Sequence, residues 1–132
     1  MSEDTQLTIE QATDWLRGYG QAWERGDVEA IGSLFAEDAV YVETPFAAPM
    51  VGRAAIRDYW RDGARDGQRD VRFDFTVWTV DGWTCCCHWR ARFTRAASGE
   101  AVELDGVFRL IFARDGADRL VCRELREWWH RR

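Results

Sequence analysis

The chain contains no lysine. Arginine carries almost all of its positive charge, with eighteen basic residues set against twenty-three acidic ones and a formal charge of −5. The two signs are interspersed, and the one like-charged block is the tail His130-Arg131-Arg132, so neither a nucleic-acid groove nor a basic membrane face is indicated. No apolar run approaches the roughly 20 residues that span a bilayer, and the opening MSEDTQLTIEQ lacks the basic start and apolar centre of a secretion signal. A cytoplasmic location is expected. The four cysteines stand at 85, 86, 87 and 122. Neighbours in a strand point to opposite faces, so three adjacent Cys make a poor disulfide framework, and one distant Cys does not complete the two-pair spacing of a structural zinc site. Free thiols packed within strands are the expectation. With only two histidines, far apart at 88 and 130, no metal site is expected, and no nucleotide cofactor either, since no Gly-rich loop joins a strand to a helix.

Large rings are abundant instead. Aromatic residues make up 14% of 132 residues and include eight Trp, so they must line a broad core, a cavity or an interface. The length fits one domain spanning 1–132, with a core over about 8–129. Apolar groups at Ile9, Ala12, Leu16, Tyr19 and Trp23 recur in steps of three and four, which predicts a helix over 7–25 capped by Thr8 with Gln11 as its reciprocal partner. Gly18 and Gly20 weaken that helix by up to about 1 kcal/mol each, which suggests close approach by another element or by a ring. Gly26 closes it, and Asp27 caps a second helix burying Val28, Ile31, Leu34 and Phe35 and ending at Asp38. A short strand is expected over Val40–Glu43, then a loop that Pro45 and Pro49 keep irregular, then a third helix over Arg53–Gly63. From residue 71 the period becomes two. Val71 to Val77, Trp83 to Phe93, Ala101 to Phe112 and Arg119 to Trp129 read as four antiparallel strands, turned at Asp81-Gly82, Ser98-Gly99 and Arg114-Asp115-Gly116.

The order implies an α+β fold in which early helices cover one face of the sheet. A sheet curved by bulges would enclose a concavity walled with rings. Its other face carries Arg90, Arg92, Arg109, Arg123 and Arg126 beside Val107, Ile111, Val121 and Trp129, and a homodimer through that face is the economical expectation.

The element order, together with QAWERGDVEAIGSLFAEDAVYVETP, GRAAIRDYW and DGVFRLIFARDG, resembles the nuclear transport factor 2-like superfamily, in particular its SnoaL-like and ketosteroid-isomerase-like members. The resemblance runs over residues 8–129. It implies a cone: three N-terminal helices packed on a strongly curved, mostly antiparallel sheet around a pocket for an apolar or carbonyl-bearing small molecule. It also implies three site residues. Tyr19 lies seven residues before the turn Gly26, as a helix-1 Tyr does in the ketosteroid-isomerase-like branch. The family's catalytic carboxylate directly precedes a Pro; here Thr44 precedes Pro45, whereas counting back from Gly52 selects Glu43. An acid midway along the penultimate strand falls within one residue of Asp105, and the register matters because a one-residue slip turns a side chain to the other face.

Those three suit proton abstraction beside a carbonyl, in an isomerase, cyclase or dehydratase: Glu43 as base, Tyr19 and a neutral Asp105 as donors to the oxyanion. The expected pocket wall is Trp23, Phe46, Tyr59, Trp60, Phe75, Trp89, Phe108 and Trp128, with Trp128 and Trp129 straddling the last strand. Two other readings of the same residues stand beside this one: a ligand-binding or assembly domain without catalysis, and a hydrolase whose pocket orients a water. Alternation alone puts Asp105 on the face of Glu103, Val107 and Arg109, and His88 with Arg90 and Arg92, where a surface or interface role is expected.

Overall fold

A computed structural model describes residues 6–132. Helix α1, Ile9–Arg25, starts where Thr8 Oγ1 accepts a hydrogen bond from Gln11 N at 3.0 Å and Gln11 Oε1 accepts one from Thr8 N at 3.0 Å. It stops at Gly26, whose φ of 66° is the left-handed conformation that glycine adopts without strain. Asp27 then caps α2, Val28–Ser33, by accepting from Ala30 N. This second helix is shorter than its apolar pattern suggests. The Leu34 carbonyl is claimed by Trp15 Nε1 and Cys122 N, each at 2.9 Å, and Phe35 opens strand β1, Phe35–Val42, instead of extending the helix. A two-residue strand β2, Met50–Val51, precedes α3, Arg53–Trp60, which widens into a π-helical turn over Arg61–Arg65.

The remaining chain forms four long strands: β3, Gln68–Asp81; β4, Thr84–Arg95; β5, Ala101–Arg114; and β6, Leu120–Arg131. The sheet runs in the order β2-β1-β6-β5-β4-β3, antiparallel except where β1 lies parallel to β6. Alternation holds without interruption along β4 and β5. Cys85, Cys87, Trp89, Ala91 and Phe93 are buried, and so are Val102, Phe108, Leu110 and Phe112, all turned toward the helices.

Bulges occur where the register shifts in β3, on either side of residues 70–71 and at Trp78, and in β6 at Arg123. Each bulge bends its strand and increases the local twist. The bulge in β6 also changes which residues face inward. Before it, Cys122 pairs with Phe112; after it, Leu125, Glu127 and Trp129 pair with Leu110, Phe108 and Gly106. Helix α1 crosses the concave face through Trp15, Tyr19 and Trp23, and a Cβ on Gly20 would stand 2.6 Å from a Phe73 ring carbon. Close approach of a ring therefore accounts for Gly20. Gly18 has only an ordinary contact, with Leu34 at 3.8 Å.

The four cysteines are free thiols. Cys85, Cys87 and Cys122 are buried in the core, where desolvation raises the Cys85 pKa to about 11 and those of the other two further.

Candidate functional site in the aromatic cone

Between α1, α3 and the concave face lies a cavity of about 190 Å³. Trp23, Trp60, Trp89 and Trp129 contribute to its walls; Tyr19, Tyr41, Tyr59, Glu43, Glu127, Gln68, Arg95 and Arg131 contribute its polar groups. The rings hold one another edge to face: Tyr19 meets Trp60 at 5.5 Å and Trp23 meets Trp60 at 5.2 Å between centroids. A wider hollow of about 770 Å³ opens around one end of the sheet, lined mainly by charged groups such as Arg72, Asp74, Arg90 and Glu103. Those charges face solvent, whereas a buried acid and phenols converge in the smaller space.

The two carboxylates meet because β1 runs parallel to β6. Tyr41 pairs with Leu125 and Val42 with Arg126, so the next residues along, Glu43 and Glu127, come side by side. Trp129 fixes the bend after β1 by donating from Nε1 to the Glu43 carbonyl oxygen at 3.1 Å. Glu127 is 6% exposed, the one buried charged residue among those described. Its proton is held well above the ordinary carboxylic range, first by desolvation and then by the negative charge of Glu43, with a hydrogen bond from Tyr41 opposing both.

Tyr41 Oη lies 3.1 Å from Tyr19 Oη, both buried. Either phenol can donate in this pair. Burial pushes all three phenols up: for Tyr19 the Glu127 charge adds to it, for Tyr41 the neighbouring Tyr19 does, and for Tyr59 both carboxylates do. All three therefore stay neutral donors at ordinary pH.

Of the residues expected from the sequence, Tyr19, Glu43, Trp23, Tyr59, Trp60 and Trp89 line this cavity. Phe108 is fully buried behind the wall, stacked on Trp89 at 5.2 Å, and Phe75 is half-buried against Phe73. Three expectations need correction. Asp105 faces outward, with its side chain 60% exposed and its Oδ1 2.7 Å from His88 Nε2, because β5 has no bulge to turn it inward. Phe46 is 98% exposed, since it sits at the tip of the turn after Pro45. Trp128 is exposed on the outer face, and Trp129 enters the cavity in its place.

The residues missed were Tyr41, Glu127 and Trp129. Tyr41 shares the parity of Glu43 in an extended strand and was legible from that. Glu127 and Trp129 were not, because the bulge at Arg123 resets the parity of β6.

Among the described residues, no three His, Cys, Asp or Glu side chains are grouped to hold a metal ion, and no helix is long and apolar enough to cross a membrane. Trp60 Nε1 and Trp89 Nε1 are buried without an acceptor.

The fold recurs in solved structures of low sequence identity. A putative scytalone dehydratase from Novosphingobium aromaticivorans superposes with a TM-score of 0.79 at 12% identity, covering 94% of this chain and 85% of its own. A nuclear transport factor 2-like superfamily protein from Salmonella enterica gives 0.76 at 11% identity over 90% and 88%. A ketosteroid isomerase-like protein from Erwinia carotovora gives 0.70 at 13% over 92% and 96%. A sequence search of curated proteins finds no match. The model of the SnoaL-like domain matches residues 16–121, and with the helix order and the mixed curved sheet already described, the chain belongs to the SnoaL-like domain family, in a fold it shares with nuclear transport factor 2-like structures.

Proposed function

We propose that the cavity binds a small organic molecule bearing an acceptor oxygen and transfers a proton at a carbon next to it, as an isomerase, cyclase or dehydratase does. The observation that carries this reading is the pairing of Glu43 and Glu127 in one aromatic enclosure. Two carboxyl groups whose environments differ divide into an acid and a base. Glu127, deeper and desolvated, keeps its proton; Tyr41 occupies one of its oxygens, so its O–H is available to a ligand oxygen. Glu43, beside Tyr59, carries the charge that raises Glu127 and is the base.

In the step proposed, Glu43 takes a carbon-bound proton, the electron pair moves into the adjoining carbonyl, and Glu127 donates to the oxygen as negative charge develops there. Return of the proton from Glu43 to another carbon of the enol, with the oxygen's proton going back to Glu127, completes an isomerisation and restores both carboxyl groups.

Deuterium exchange at the α-carbon of 2-cyclohexen-1-one, followed by proton NMR in heavy water, tests the reading without knowledge of the natural substrate. The protein should accelerate exchange, and Glu43→Gln should reduce the acceleration about 100-fold, the usual contribution of a placed general base. Saturable binding of the enone with no exchange above the buffer rate would leave the cavity a binding site only.

A further inference from the structure

The cavity's size and the sign of its charge along its depth restrict what it can hold. At about 190 Å³ it is close to the ~150 Å³ apolar cavity that admits a single benzene ring, and well below the ~300–1,000 Å³ of ordinary ligand sites. One ring fits; a fused system does not. The inner part carries the Glu43 charge and the Glu127 carboxyl. The lining also includes two guanidinium groups, those of Arg95 and Arg131, at the ends of β4 and β6.

These two cations share one carboxylate. Glu100, half-exposed in the β4–β5 turn, accepts from Arg95 Nε at 3.2 Å and from Arg131 Nη2 at 2.6 Å. Two positive charges against one negative leave the rim with a surplus of one positive. Gln68 adds to it: its Oε1 is taken by Trp23 Nε1 at 2.7 Å, which leaves the amide N–H groups as donors. An anionic group is therefore repelled from the inner end and favoured at the rim, where Glu100 already shows the geometry a carboxylate adopts between these arginines.

We infer that the site takes a one-ring carboxylic acid, the ring lying among the Trp side chains and the carboxylate displacing Glu100 between Arg95 and Arg131. The inference rests on the proton-transfer reading for which carbon reacts; the binding it describes does not depend on that step.

Titration calorimetry at low salt with phenylacetate and its neutral counterpart 2-phenylethanol decides it. The acid should bind about tenfold more tightly or better, the factor expected of charge-assisted hydrogen bonds to guanidinium. Arg131→Gln and Arg95→Gln should each reduce that preference, read as the ratio of the two affinities in the same variant, and Glu100→Gln should tighten phenylacetate. The two-ring acid 1-naphthylacetate should bind more weakly than phenylacetate. Equal affinity for acid and alcohol, a preference that survives both arginine substitutions, or weaker acid binding in Glu100→Gln would overturn the inference. Charge-selective binding without exchange of the enone's α-proton would sustain the inference and remove the proton-transfer reading; exchange without charge selectivity would do the reverse.

Discussion

Replacing Glu127 by Gln should make the protein more stable at neutral pH, even though it alters a buried hydrogen-bonded side chain. The folded state holds the Glu127 proton above its ordinary pKa of 4.5, chiefly through desolvation, whereas the unfolded chain releases it near 4.5. Between those two values the native state binds more protons than the unfolded state, so stability falls as pH rises. Below 4.5 both states are protonated and the loss is absent; above the folded value both are ionised and the loss is complete. Within the window the loss is about 1.4 kcal/mol per pH unit. Gln cannot ionise, keeps nearly the same volume, and offers Tyr41 the same carbonyl acceptor. Urea denaturation of both proteins at half-unit steps from pH 4.5 to 8, followed by tryptophan fluorescence, reads Glu127 together with its coupling to Glu43, because groups away from this pair cancel in the difference. The curves should meet near pH 4.5 and diverge upward with the variant more stable. Glu43→Gln should narrow the window, since it removes the charge that reinforces Glu127. Parallel curves across the range, or a variant less stable at every pH, would refute a buried protonated Glu127.

Two helix positions on either side of Tyr19 should respond oppositely to the same substitution. Gly18→Ala gains helix propensity, about 0.8–1.0 kcal/mol, with only an ordinary contact at 3.8 Å. Gly20→Ala places a methyl 2.6 Å from the Phe73 ring and should destabilise by about 1–3 kcal/mol despite the same propensity gain; thermal or urea unfolding of the pair checks the sign. The outer face of the sheet, where Trp78 and Trp128 are 60% and 49% exposed, is expected to pair two copies of the chain. Light scattering at micromolar concentration should give twice 15.4 kDa, and a clean species at 15.4 kDa would defeat it.

Local chemistry made much of this protein legible in the sequence. The Thr8–Gln11 cap, the Gly26 stop, the hairpin glycines 82 and 99, and the period-two runs through β4 and β5 each depend on residues within a few positions of one another. The same locality explains why Tyr19, Trp23 and Trp60 could be placed on inward faces, and why uninterrupted alternation put Asp105 outward once β5 proved free of bulges. Three other features were settled by contacts between distant parts of the chain. Strand β1 begins at Phe35 because Trp15 and Cys122 claim the Leu34 carbonyl. The bulge at Arg123 turns Glu127 and Trp129 inward and Trp128 outward, a choice that a strand alternating between two polar and apolar sets does not encode by itself. The parallel pairing of β1 with β6 then sets Glu43 beside Glu127, residues 84 positions apart by numbering, in a space dry enough for one of them to keep its proton. The sequence alone determined the fold and offered Glu43 as a candidate acid; the placing of Glu127 beside it came from sheet curvature and strand pairing, because desolvation is a property of the assembled cone and not of any segment within it.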